Sequence, residues 1–293
     1  MVTIPSTSID VTLRAGAPGD AGPCGLICYH AFRTIAERHN FPPDFPDENA
    51  AIGLMSGLLA RPDVYAVVAD VTGRVVGSNF LWEGDAIAGV GPITVDPHVQ
   101  NLSVGRRLMD DVLRRAQDRR VAGVRLVQAA YHNRSLSLYS KLGFTAREPL
   151  TTLQGPAIGL VMPDRPVRPA RPADLAACHS LCLRVHGHDR RAEVLDAIGQ
   201  GIATVVEHDG RITGYATMIG FFGHAVAETN EDLKALIAAA AAFPGPGLLL
   251  PTRNGDLLRW CLEQGLRVIQ PMTLMSMGQY NEPTGAFLPS IIY

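Results

Sequence analysis

The apolar and polar positions of the chain change period at regular intervals. They predict a strand over 9–14, helices over 17–39 and 48–60, and strands over 64–69, 75–81 and 87–95. An amphipathic helix over 104–120 follows, then a strand over 123–130, a helix over 134–142, and strands over 144–149 and 155–161. Residues 162–172 interrupt the pattern with a run rich in Pro and Arg. Each Pro removes a backbone donor and fixes φ, so neither a helix nor a central strand can pass through it. The segment predicts a linker, with domains over 1–162 and 163–293. After it the same order of elements returns, with strands over 202–206 and 212–218 and helices over 230–242 and 255–264.

The return is visible in the residues themselves. Arg14, Pro18, Asp20, Cys24 and Cys28 coincide with Arg168, Pro172, Asp174, Cys178 and Cys182 at one constant offset. Gly73-Arg-Val-Val-Gly77 lies over Gly210-Arg-Ile-Thr-Gly214, each in a strand–turn–strand setting, and Asn133…Gly143-Phe144 lies over Asn254…Gly265-Leu266. Three ordered matches predict a duplicated unit. Strands alternating with helices in this order predict an α+β fold in which a mostly antiparallel sheet carries helices on both faces.

Composition narrows the function class. The chain has 293 residues, 47% hydrophobic and 18% charged, enough to bury a core without disulfides or metal. A net charge of −2 and a pI near 6.5 argue against a nucleic-acid partner. The first ten residues lack the apolar core of a signal peptide, and the Ala-rich stretch at 233–243 is too short to span a membrane. Five cysteines is an odd number for a secreted disulfide framework. A cytoplasmic protein with no membrane partner is expected.

The candidate chemistry lies in Gly91-Pro-Ile-Thr-Val-Asp-Pro-His-Val-Gln-Asn-Leu-Ser-Val-Gly-Arg-Arg107. A strand ends at Val95, Asp96-Pro97 turns the chain, and a short loop feeds an amphipathic helix. Gly105 carries no Cβ and so permits close backbone approach. The first-turn N–H groups lack intrahelical partners and sit at the positive end of the helix dipole, an anion site suited to a pyrophosphate. Arg106 and Arg107 add fixed positive charge.

The spacing Gln100-x-x-Ser103-x-Gly105 resembles the Gln/Arg-x-x-Gly-x-Gly/Ala loop of the GCN5-related N-acetyltransferase (GNAT) superfamily, with Ser103 in place of the first glycine. Asn133, Tyr139 and Gly143-Phe144 resemble that family's Asn-x5-Tyr-x3-Gly-Phe block. The resemblance implies two tandem GNAT-like folds, the first binding acetyl-CoA as cosubstrate and transferring its acetyl group directly to a primary amine in a ternary complex. It implies that Gln100, Asn101, Leu102, Ser103, Val104, Gly105 and Arg106 cradle the pyrophosphate and that Asn133 meets the pantetheine arm. It further implies that Tyr139, the candidate catalytic residue, protonates the departing thiolate. Strands splaying near Ile93, Thr94 and Val95 would leave a backbone N–H for the thioester oxygen, and Gly91-Pro92 suits such a break. No base stands out: Glu83, Asp85 and His132 read as solvated groups, and ordered water suffices. The expected partner is a small-molecule amine, with no metal.

The second half lacks the loop. His224-Ala-Val-Ala-Glu-Thr-Asn-Glu-Asp232 places Glu228, Glu231 and Asp232 where phosphates would sit, and the tyrosine position falls on Trp260 or Cys261. This degenerate copy, whose tail resembles the tandem acetyltransferases of the YitH type, is free to shape an acceptor pocket or carry a homodimer interface. The Cys pairs read as small core residues rather than zinc ligands, and His186-Gly-His188-Asp189 as a solvated turn. The alternative function is a non-catalytic acyl-CoA-binding protein on the same fold.

Overall fold

The computed structural model describes residues 11–99 and 103–292. In chain order these form β1 (Thr12–Ala15), α1 (Ala21–Arg38), α2 (Glu48–Ala60), β2 (Val64–Val71), β3 (Arg74–Trp82), β4 (Ile87–Val90) and β5 (Thr94–Val95). Next come α3 (Val104–Asp118), β6 (Gly123–Ala129), α4 (Asn133–Lys141) and β7 (Thr145–Gln154). Beyond the linker lie β8 (Val167–Pro169), α5 (Leu175–His186), α6 (Arg191–Gly199), β9 (Thr204–His208), β10 (Arg211–Ala216) and β11 (Ala225–Ala227). The chain closes with α7 (Asn230–Ala239), β12 (Leu248–Pro251), α8 (Gly255–Glu263), β13 (Arg267–Gly278) and β14 (Ala286–Leu288).

These elements gather into two compact units. One takes the described residues up to Leu81 together with Val90–Arg120; the other takes Trp82–Gly89 and everything from Val121 onward. In the first unit β1 pairs antiparallel with β2, β2 neighbours β3, and β5 pairs antiparallel with β3 through Gly77↔Val95 and Ser78↔Thr94. The predicted strand 87–95 is therefore two strands broken at 91–93, because Pro92 cannot donate to a ladder. Helix α3 buries Val104, Leu108, Val112 and Ala116 on one stripe and leaves Arg106, Arg107 and Asp110 exposed, the spacing of an amphipathic helix.

The second unit holds a sheet in the order β4-β6-β13-β7-β12 and another in the order β14-β11-β10-β9-β8. Apart from the parallel β4–β6 pair, neighbouring strands in these two sheets run antiparallel. Its first sheet exchanges strands between the two halves of the sequence. β13, from the second half, runs beside β6 from Met272↔Ala129 to Gly278↔Gly123, while β7, from the first half, pairs with β12 from Leu248↔Leu153 to Pro251↔Leu150. β7 and β13 are themselves neighbours. The segment expected as a strand over 155–161 is not one; the place beside β6 and β7 is held by β13. Met272, Leu274 and Met275 of β13 are buried, so this exchanged strand forms part of the core on both faces.

The duplication survives in fine detail. Arg14 donates to Asp20 at 2.8 and 2.7 Å, and Arg168 to Asp174 at 2.7 and 3.0 Å. Each carboxylate also accepts a backbone N–H at 2.8 Å, from Ala17 and Arg171 respectively. Such two-pronged pairing holds both carboxyls below their ordinary pKa and fixes the turn into the first helix of each half. Cys24, Cys28, Cys178 and Cys182 are all buried on those helices as free thiols. No helix among the described residues is long and apolar enough to cross a membrane.

Candidate active site

In the first unit the strand-to-helix loop is built around Asp96. Its backbone N–H donates to Val76 at 2.9 Å, and its carboxylate accepts the His98 N–H at 2.9 Å and lies 3.3 Å from Arg74. A single 3-10 turn, Pro97–Val99, follows. Thr94 is buried with its hydroxyl 3.4 Å from that of Ser78, and Val95 is half-buried. Pairing of β5 runs to β3, while the parallel register of β4 with β6 ends at Gly89↔Arg125. Residues 91–93, including Ile93, thus lie outside any strand. Gln100, Asn101 and Leu102 lie outside the described residues.

Ser103 enters the helix in the left-handed region, at φ 61° and ψ 11°. Such a conformation costs a non-glycine residue roughly 1 kcal/mol; here it falls on Ser103, whereas Gly105 sits half-buried within the first turn in helical conformation. The Ser103 side chain makes no capping hydrogen bond, and the first turn of α3 carries no acid. Its positive end is therefore left to other partners. Arg106 is exposed and shares its charge with Asp110, 3.6 Å away.

The counterpart in the second half is closed by its own side chains. Thr229 caps α7 by accepting the Asp232 N–H at 3.2 Å, and Asp232 accepts the Thr229 N–H at 3.2 Å. The acids expected to repel phosphate are locked in ion pairs: Glu228 with Arg184 and Arg211, Glu231 with Lys234, and Asp232 with Arg165.

The second unit carries the other two predicted site residues. Asn133 is the first residue of α4 and is exposed, while His132 holds the N-cap position. Tyr139 faces inward at 6% exposure, its ring edge-on to Phe144 at 6.2 Å between centroids. Burial pushes its phenol up to about 12, and a hydrogen bond from Ser135 pulls the other way. Gly143, at φ 99°, ends the helix: its N–H reaches Ser140 and that of Phe144 reaches Tyr139 at 3.0 Å. The same pattern ends α8, where Gly265 reaches Leu262 and Leu266 reaches Cys261 at 3.1 Å. The counterpart of Tyr139 is therefore buried Cys261, not Trp260, and Asn254 corresponds to His132 rather than to Asn133.

Two readings of the sequence change. His186 and His188 form no solvated turn: both are 5% exposed, and burial pushes His188 down to about 3. Asp85 caps α6, accepting the N–H groups of Ala192 and Glu193 at 3.1 and 3.3 Å, and desolvation raises its pKa. Beside it lies a buried line that the sequence did not signal. Arg190 donates to Glu193 at 2.6 Å, Glu193 faces His224 Nδ1 at 2.8 Å, and His224 Nε2 meets the Tyr215 hydroxyl at 2.9 Å. Desolvation would raise Glu193, but Arg190 and His224 hold it at about 2.

The profile of the acetyltransferase (GNAT) family matches residues 29–144, which span both the loop into α3 and the Asn133–Phe144 block. Those residues carry a GNAT-family domain. Solved structures extend the likeness over the whole chain. A candidate acetyltransferase from Pyrococcus horikoshii superposes with a TM-score of 0.74 at 16% identity, covering 98% of this chain and 95% of its own. A GCN5-related N-acetyltransferase from Sphaerobacter thermophilus gives 0.60 at 15% identity, covering 96% and 98%. A tandem GNAT protein from the clavulanic acid biosynthesis pathway gives 0.54 at 13% identity, covering 92% and 98%. At these identities the likeness is one of fold, and that fold is two tandem GNAT units. No curated protein matches the chain.

Proposed function

We propose that this protein transfers an acetyl group from acetyl-CoA to the primary amine of a small molecule, with both substrates bound together. The first half, 1–162, is read as the working copy and 163–293 as a degenerate one. The family match over 29–144 carries the reading. The loop into α3 fits the donor's anionic part: its first turn has neither a side-chain cap nor an acid, whereas α7 has both.

Acetyl-CoA supplies the activated acetyl thioester. In this reading residues 100–106, Gln100 to Arg106, hold the pyrophosphate, chiefly through backbone N–H groups that the helix leaves unpartnered. Backbone at Ile93, Thr94 and Val95 orients the thioester and donates to its carbonyl oxygen as charge develops there. Asn133 meets the pantetheine arm. Tyr139, neutral at physiological pH as any phenol is and raised further by burial, donates its proton toward the departing sulfur. A phenol near 12 facing a thiol near 8.5 makes an isolated proton transfer uphill by about 5 kcal/mol, so the proton passes to sulfur only as the phenol is resupplied with one. Water takes the amine's proton. The five buried free cysteines suit a reducing, cytoplasmic setting.

The test is release of CoA from acetyl-CoA, followed with a thiol reagent across a panel of primary amines. Amine-dependent release supports the reading. Tight binding of acetyl-CoA with no release from any amine favours an acyl-CoA-binding protein instead.

A further inference from the structure

If Tyr139 gives its proton to sulfur, it must recover one, and at 6% exposure bulk water has little access to its hydroxyl. The fold supplies a route along one side of α4. Ser135 stands one turn before Tyr139, at the i, i+4 spacing that places two side chains on the same face, and its hydroxyl hydrogen-bonds the phenol. On its other side the Ser135 oxygen lies 2.7 Å from Nδ1 of His132, the N-cap residue of the helix. Ser135 and His132 are both half-buried, so the line runs from the protein's edge inward to the buried phenol.

We propose that His132 and Ser135 form a proton relay that recharges Tyr139 during acetyl transfer, an inference that rests on the acetyltransferase reading. The balance is simple. The Tyr139 O–H bond breaks as an S–H bond forms on CoA. The phenolate oxygen takes the Ser135 hydroxyl proton, the Ser135 oxygen takes the proton on His132 Nδ1, and His132 recovers one from water. No oxidant or co-reactant is needed. Imidazole exchanges protons with water near neutrality, and a hydroxyl both accepts and donates, which is what each position requires. Ser135 and His132 are positioning residues in this scheme; only Tyr139 meets the reacting sulfur.

The experiment compares wild type, Ser135→Ala, Ser135→Thr, His132→Gln, Tyr139→Phe and the double variant Ser135→Ala/Tyr139→Phe, in the full chain. Calorimetric titration with acetyl-CoA is expected to give affinities within about threefold of wild type for all of them. Ser135→Ala and His132→Gln should lower kcat roughly 10- to 100-fold with KM for acetyl-CoA unchanged, within the range of general acid–base effects. Ser135→Thr keeps the hydroxyl and should recover most of the loss. The double variant should be no slower than Tyr139→Phe alone, because both changes break one line. In the free protein, Ser135→Ala should also shift the Nδ1 nitrogen resonance of His132.

Full kcat in Ser135→Ala overturns the relay, as does a loss that compounds with Tyr139→Phe. A wild type that binds acetyl-CoA yet releases no CoA with any amine overturns the transfer reading itself. The two failures are therefore distinct.

Discussion

Placing a carboxylate at Gly105 separates the fold from the function. Gly105 lies in the first turn of α3, where no acid now stands. Gly105→Glu should favour the helix twice over, by about 0.5–1 kcal/mol from replacing glycine and by about 0.3–1 kcal/mol from a negative charge at the N-terminus. The same charge opposes a bound pyrophosphate. At about 6 Å and an effective dielectric of 20, each like-charge pair costs about 3 kcal/mol. Two such pairs, roughly halved by physiological salt, leave about 2.5–3 kcal/mol, close to a hundredfold in affinity. The assay is calorimetric titration with acetyl-CoA beside a thermal melt, with Gly105→Gln as the uncharged control of similar size. The account expects an unchanged or higher Tm, affinity down about a hundredfold for Glu, and a much smaller loss for Gln. Affinity within threefold of wild type for Gly105→Glu refutes the donor site at this helix end. An equal loss for Gln and Glu would show that size rather than charge decides it.

Two further outcomes follow from the packing and the buried charges. A fragment ending at residue 162 loses β13, leaving β6 and β7 with unpaired edges where the registers from Met272↔Ala129 to Gly278↔Gly123 and from Arg267↔Gln154 to Ser276↔Thr145 stood. It should aggregate or fail to show a cooperative melt, and a soluble fragment melting within about 5 °C of the full chain would contradict this. Stability should also fall on mild acidification. Burial holds His186, His188 and His224 below their ordinary pKa, so the unfolded chain takes protons near 6.5 while the folded one does not. Their contribution is complete above that pH and declines as pH falls, for His188 down toward about 3, by up to about 1.4 kcal/mol per pH unit per group. Glu193, held at about 2, adds loss in the same direction below its unfolded value. Thermal melts between pH 7.5 and 5.0 should show a steady drop in Tm, and a flat profile would mean that these histidines are hydrated.

Local signals and motif spacing made much of the first half legible in the sequence. The stripe of Val104, Leu108, Val112 and Ala116 defines α3, and Gly143 marks the end of α4 through its positive φ. The Arg14–Asp20 and Arg168–Asp174 pairs made the duplication readable because short-range contacts copy with the sequence. Strand exchange was not readable in this way. Whether β6 pairs with the next strand of its own half or with β13 depends on contacts more than a hundred residues apart, and strand propensity at 155–161 gave the wrong partner. The histidines at 186 and 188 misled for a related reason. A His-Gly-His-Asp turn has the composition of a solvated loop, and only tertiary packing, such as the ring of His186 edge-on to Phe287, takes its two imidazoles out of water. At the site, the left-handed strain fell on Ser103 rather than on a glycine. The His132–Ser135–Tyr139 line was present as an i, i+3, i+7 spacing, but nothing in that spacing distinguishes it from an ordinary helix surface.

The central claim is that one half of a duplicated acetyltransferase fold keeps a donor site and the other has filled its own. Calorimetric titration of the full chain with acetyl-CoA tests it most directly, because it reads stoichiometry together with affinity. The account predicts one site per chain, abolished or strongly weakened by Gly105→Glu and untouched by Thr229→Ala at the capped end of α7. Two equivalent sites per chain, or no heat of binding at all, would contradict it.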